Sequence, residues 1–169
     1  FGVELDVKKN LDFIGLRGLS FVCNAAYIYS RVRFEEGAPE RDRPLAGQSP
    51  YLVNAGFFYQ YDDKGISASL LYNRIGKRIE SVGVPMQNQD EDIPDIYEMP
   101  RNSLDLTFSK KIGKIVEIKA GIQDILNSKV EYKQFVKLTD DKGGKSEREQ
   151  LIRSYRPGVD INIGVSLRF

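Results

Sequence analysis

Few residue types in this chain could do chemistry, and their spacing does not favour catalysis. There is no histidine among the 169 residues. That removes the usual general base of Ser-His and Cys-His nucleophiles and the commonest metal ligand. The one cysteine, Cys23, cannot form an intramolecular disulfide. The sequence contains no Gly-x-Ser-x-Gly elbow and no recognisable pair of catalytic carboxylates. Oxygen ligands gather in Gln87–Asp95, where Asp90, Glu91, Asp92 and Asp95 could hold Ca²⁺. Their spacing is not that of an EF-hand, and a solvated surface loop is the simpler reading. Asp140–Glu149, of mixed charge, reads as a second exposed loop. The expectation is a protein that is not an enzyme and holds no cofactor or metal. Lys and Arg number 25 against 24 Asp and Glu, so there is no basic excess to suit nucleic acid.

What the chain does must then rest on its elements, and these read as strands. Period-two alternation recurs throughout, while helical periodicity is weak. Phe1, Val3, Leu5 and Val7 alternate with Gly2, Glu4, Asp6 and Lys8. Similar runs cover Leu19–Ser30, Tyr51–Tyr61, Ile66 to about Arg78, Ser103–Ser109, Val116–Gln123 and Val159–Phe169. That predicts seven strands, of which the last is the most regular. The opening Phe1-Gly2-Val3-Glu4 carries no signal-peptide pattern and falls inside an alternating run. It is read as the interior of a longer protein.

The connections alternate in length. Short turns fall around Asn10–Gly15, at Asp62–Gly65 and at Ile112–Lys114, and long polar stretches at Glu35–Pro50, Val84–Pro100 and Ser128–Pro157. Long loops without structure of their own are uncommon in compact soluble domains. Tight turns at one end and long loops at the other are the habit of up-and-down barrels in the bacterial outer membrane. The 41% hydrophobic content and mean hydropathy of −0.39 do not oppose this, because barrel strands show lipid only every second residue.

The strand faces fit two readings. In a soluble barrel or sandwich the apolar face is the core. In a membrane barrel it meets lipid, and the polar face meets the lumen. On the second reading Asp105, Glu117, Lys119, Asp160 and Arg168 are candidate lumen-facing charges. Each could equally pair with a cross-strand neighbour for no more than about 1 kcal/mol. Tyr51 and Tyr61 share a face ten residues apart, roughly 25 Å along the membrane normal for a strand tilted by about 40°. With Tyr27, Tyr29 and Tyr59 they are candidate girdle aromatics; on the soluble reading they fill a β-core. Seven strands cannot close an even-numbered barrel, so further strands are expected from upstream residues or another chain.

Several stretches resemble the C-terminal barrel of TonB-dependent outer-membrane receptors, particularly the SusC-like nutrient transporters. Arg43–Tyr59 (RPLAGQSPYLVNAGFFY) is similar to a loop-to-strand passage of that family, with Gly47, Gln48, Ser49, Pro50, Tyr51 and Asn54 in the recognisable places. Leu70–Ile79, Ile96–Gly113 and Glu117–Asn127 resemble strands that follow in the family, the last ending in a tetrapeptide like its "NLFN", here Asp124-Ile125-Leu126-Asn127. The chain closes on YRPGVDINIGVSLRF. The order and spacing of these stretches carry the resemblance more than any one of them.

The resemblance implies an all-β, antiparallel up-and-down transmembrane barrel of 22 strands, of which residues 1–169 supply about seven consecutive C-terminal ones. It implies a lumen closed by an N-terminal plug, with both plug and earlier strands outside this sequence. It further implies nutrient uptake (glycan, peptide or chelate) driven by the TonB complex, and allows a SusD-like surface lipoprotein as partner. Phe169, with Leu167 and Val165 before it, would be the signal read by the barrel-assembly machinery. Stand-alone or oligomeric outer-membrane barrels with a structural or binding role are the alternative expectation.

Overall fold

A computed structural model describes residues 1–86, 92–139 and 145–168. Among them the strands are β1 (Gly2–Asn10), β2 (Leu19–Ile28), β3 (Tyr51–Tyr61), β4 (Ile66–Ile75), β5 (Arg78–Ser81), β6 (Ile96–Glu98), β7 (Arg101–Ile112), β8 (Val116–Gln123), β9 (Val130–Thr139), β10 (Lys145–Tyr155) and β11 (Asp160–Leu167). All pairings are antiparallel. Seven strands form one sheet in the order β1-β2-β3-β4-β7-β8-β11. These are the seven strands that the alternation predicts, with β3 bounded by Tyr51 and Tyr61 as expected.

The short turns set the register of this sheet. Asp62–Lys64 make one 3-10 turn, closed by Gly65 at φ 59°, a left-handed conformation that glycine adopts without a steric penalty. Once the turns fix which residues face each other, a period of two keeps the alternating set of each strand on the same side. The row Lys9–Phe21–Phe57–Leu70–Leu106–Ile122–Ile161 crosses all seven strands without a slip.

Two of the expected loops are corrected. Val84–Pro100 contains β6, and Ser128–Pro157 contains β9 and β10; with β5 they form a second sheet in the order β10-β9-β6-β5. These four strands extend strands of the seven-stranded sheet, and form an upper sheet beyond it, since β5 follows β4, β6 precedes β7, β9 follows β8 and β10 precedes β11. Their lateral order therefore repeats that of β11-β8-β7-β4 below. In β9, Val130, Tyr132 and Val136 share one parity, but Phe135 falls on the other, so no clean alternation marks the strand. The buried apolar residues Ile79, Val130 and Tyr132, 2, 3 and 9% exposed, all belong to this upper sheet. Segment 29–50 stays irregular and lies along the sheet's β5 edge, where Gly47 N–H donates to the Ile79 carbonyl at 2.8 Å.

The all-β, antiparallel architecture agrees with expectation, but the seven-stranded sheet is open. No described strand pairs with the outer edge of β1 or β11, and no closed barrel forms among the described residues.

Candidate functional site: a bare apolar face and its polar reverse

Among the described residues, no apolar core packs against the seven-stranded sheet. On one face, Val3, Leu5, Phe57, Leu70, Leu106, Phe108 and Ile118 are exposed, and so are Ile161, Ile163 and Val165 of β11 at 68, 76 and 63%. Between its ends this face carries no charged side chain across any of the seven strands. Cations stand at the rims instead. Lys9 lies over the Phe13 ring, Lys110 donates to the Lys64 carbonyl, and Arg74 donates to the Tyr51 hydroxyl at 3.3 Å. Long cationic side chains at such margins can keep their heads in water while their stems lie on apolar surface. A soluble monomer rarely leaves a contiguous apolar patch of this extent uncovered.

The five candidate girdle tyrosines fall at the two ends of this face. Tyr27 and Tyr51 are opposite one another near the long-loop end, and Tyr29 follows just beyond β2, stacked on Phe1 at 5.0 Å. Tyr59 and Tyr61 are at the short-turn end, Tyr61 beneath Lys64 at 5.4 Å. Cys23 sits in the apolar row Val7–Cys23–Ala55–Tyr72–Leu104. Leu167 and Val165 lie on the same face of the edge strand, both exposed. Phe169 lies outside the described residues.

The reverse face is polar, and the register lines its amides up. Asp6, Asn24, Asn54, Asn73 and Ser103 form one lateral row through β1, β2, β3, β4 and β7. Asn24 donates to Glu4 at 2.7 Å and Asp6 at 2.9 Å, and Asn73 donates to Asn54. A shallow hollow of about 410 Å³ lies on this row, lined also by Phe58, Leu71 and Asp105. All five candidate lumen residues are on this face. Glu117 meets Lys119 of its own strand at 3.5 Å and, across the sheet, Arg168 at 3.7 Å. Asp160 is exposed on the edge strand.

Where wall and upper sheet meet, the structure brings together residues that sequence reasoning did not connect. The Arg101 guanidinium pairs with Asp124 at 2.7 Å, and Asp105 accepts a hydrogen bond from the Asp124 N–H at 2.8 Å. Asp124 and Asn127, the first and last residues of the Asp-Ile-Leu-Asn tetrapeptide, have φ of 52° and 43°. Asn127 Oδ1 accepts from Gly158 N–H at 3.1 Å and its carbonyl from Arg156 at 2.8 Å. The tetrapeptide thus ties the end of β8 to β7 on one side and to the approach to β11 on the other. Of the acidic loop, Asp90 and Glu91 lie outside the described residues. Asp92 pairs with Arg41, and Asp95 accepts from Gly83 N–H at 2.8 Å.

Comparison with protein families, with curated proteins and with solved structures finds no match for this chain.

Proposed function

We propose that this chain is a section of the wall of a bacterial outer-membrane β-barrel, and that the whole protein is a TonB-dependent nutrient receptor of the SusC-like kind. One observation carries the membrane reading: an apolar face, with cations only toward its two ends, runs across seven antiparallel strands, with a polar face behind it. Lipid covers such a face, and the polar side lines the lumen, as in barrels generally. The tyrosines at both ends of the band are its girdles, with the short turns in the periplasm and the upper sheet outside the cell. The receptor reading adds the sequence resemblance in Arg43–Tyr59 and from Leu70 onward. On it, the remaining strands of a 22-stranded wall, a plug, the TonB complex and possible contact with a surface lipoprotein complete a machine that imports a nutrient.

Paired substitutions at adjacent positions of β7 test the orientation of the sheet. Leu106→Arg, on the apolar face, is expected to destabilise the protein in lipid vesicles by about 2–4 kcal/mol if it sits near the bilayer midplane. Thr107→Arg, one residue along and facing the lumen, should cost no more than about 1 kcal/mol. Urea unfolding from vesicles measures both; equal costs, or the reverse order, would sink the membrane reading.

A further inference from the structure

On their apolar face the seven strands carry no carboxylate, and the charged side chains there are Lys9, Arg74 and Lys110. Arg74, the penultimate residue of β4, is the one at the long-loop end. Lys110 stands opposite Ile66, at the other end of the same strand. Eight residues of a strand tilted by about 40° set these two cations roughly 20 Å apart along the height of the sheet. Lys110 already donates to the Lys64 carbonyl.

Arg74 sits in a cluster whose acceptors are used up. Its Nε donates to the Tyr51 hydroxyl at 3.3 Å and its Nη1 to Asn102 Oδ1 at 2.7 Å. The Tyr72 hydroxyl donates to the same Oδ1, also at 2.7 Å. An amide oxygen accepts two hydrogen bonds, so Asn102 can take no more. What remains are donors. Arg74 Nη2, the Asn102 side-chain NH2 and the Tyr51 O–H have no acceptor among the described residues, and neither nitrogen is buried. No described carboxylate lies within ion-pair distance of Arg74. Tyr51 is seated by Gly76, whose N–H donates to the Tyr51 carbonyl at 3.1 Å; a Cβ there would stand 2.7 Å from the ring.

A strand added at either open edge would not cover this cluster. β4 is the central strand of the seven, so each edge is three strands away, roughly 14 Å. The pairs that flank the undescribed internal stretches, Val84–Ile93 and Thr139–Lys145, lie at the far end of the upper sheet from Arg74.

Resting on the membrane reading, we propose that Arg74, Asn102 and Tyr51 bind the phosphate of an anionic lipid headgroup in the leaflet at the long-loop end. Guanidinium and phosphate form a charge-assisted, two-pronged pair, and the amide and hydroxyl donors take further phosphate oxygens. The acyl chains of the same lipid lie over apolar residues further along the face, such as Leu70 and Leu106.

The test is solid-state NMR of the whole protein, labelled with ¹³C at arginine Cζ, in bilayers of a phosphorus-free galactolipid containing phosphatidic acid. Dephasing of an arginine Cζ signal by ³¹P is expected, and Arg74→Gln should abolish that contribution. Tyr51→Phe keeps the ring and removes one donor. It should raise the phosphatidic acid content needed for half the effect about fivefold. Inorganic phosphate in place of phosphatidic acid should give no dephasing. Contact between acyl-chain protons and the Leu106 methyl groups, read in the same sample, reports the membrane reading separately. With that contact present, absent dephasing, dephasing unchanged in Arg74→Gln, or equal dephasing by inorganic phosphate would overturn the headgroup site alone. Without that contact the membrane reading falls, and the site with it.

Discussion

Asp124 shows how one residue can hold two parts of the fold together. Its left-handed φ of 52° is a conformation that Asp and Asn tolerate better than most residues. Its carboxylate, 12% exposed, depends on Arg101, itself 28% exposed. Removing one partner strands the other, whereas removing both charges need not. Arg101→Ala should therefore destabilise by about 1–3 kcal/mol, and Arg101→Leu combined with Asp124→Asn by distinctly less. Urea midpoints of the two variants check this; equal losses would mean that the ion pair is not what holds the seam. Only half of this arrangement is legible in the sequence. The tetrapeptide Asp124–Asn127 stands out as a strand ending, but its ties to Arg101 and Gly158 span 23 and 31 residues, and no local pattern reports them. Conversely, the alternation alone placed Asp105, Glu117, Lys119, Asp160 and Arg168 on one face, because pleating leaves no other choice once the register holds.

At the level of elements, the seven wall strands were legible and the upper four were not. A wall strand has one face apolar along its whole length, so it announces itself by period two. The upper strands bury little and carry charges on both sides: Lys133 pairs with Glu149 at 2.6 Å and Arg78 with Glu98 at 2.6 Å. Arg153 lies 4.1 Å from the centre of the Tyr132 ring. Strands held by ion pairs and cation–π contacts look like polar loop in a sequence. With a small core of their own, they are expected to form a separate unit of stability. Ile79→Ala should remove about 2–5 kcal/mol from that unit. Hydrogen exchange should then speed up in β5, β6 and β9 and stay unchanged in β3 and β4. Uniform acceleration in both sheets would show that the two unfold as one.

For the molecule as a whole, strand parity limits how the open wall can be completed. In a sheet of seven antiparallel strands the first and last run the same way, so β1 and β11 cannot pair antiparallel with each other. Copies of the chain standing side by side in one orientation would meet the same obstacle at each joint. An odd number of further strands removes it, and the 15 that would complete a 22-stranded wall are odd. On the proposed reading, this favours closure by further strands over a ring of identical short chains. The claim beneath all of this is that the apolar face meets lipid. The most direct measurement places spin labels singly at positions 104 to 109 of β7, in a Cys23→Ser background reconstituted in bilayers. Collisions with oxygen, which concentrates in lipid, are compared with collisions with a water-soluble nickel reagent. The account predicts that labels replacing Leu104, Leu106 and Phe108 meet oxygen, and that those replacing Asp105, Thr107 and Ser109 meet nickel. Nickel access at Leu104, Leu106 and Phe108, or no alternation along the strand, would contradict it.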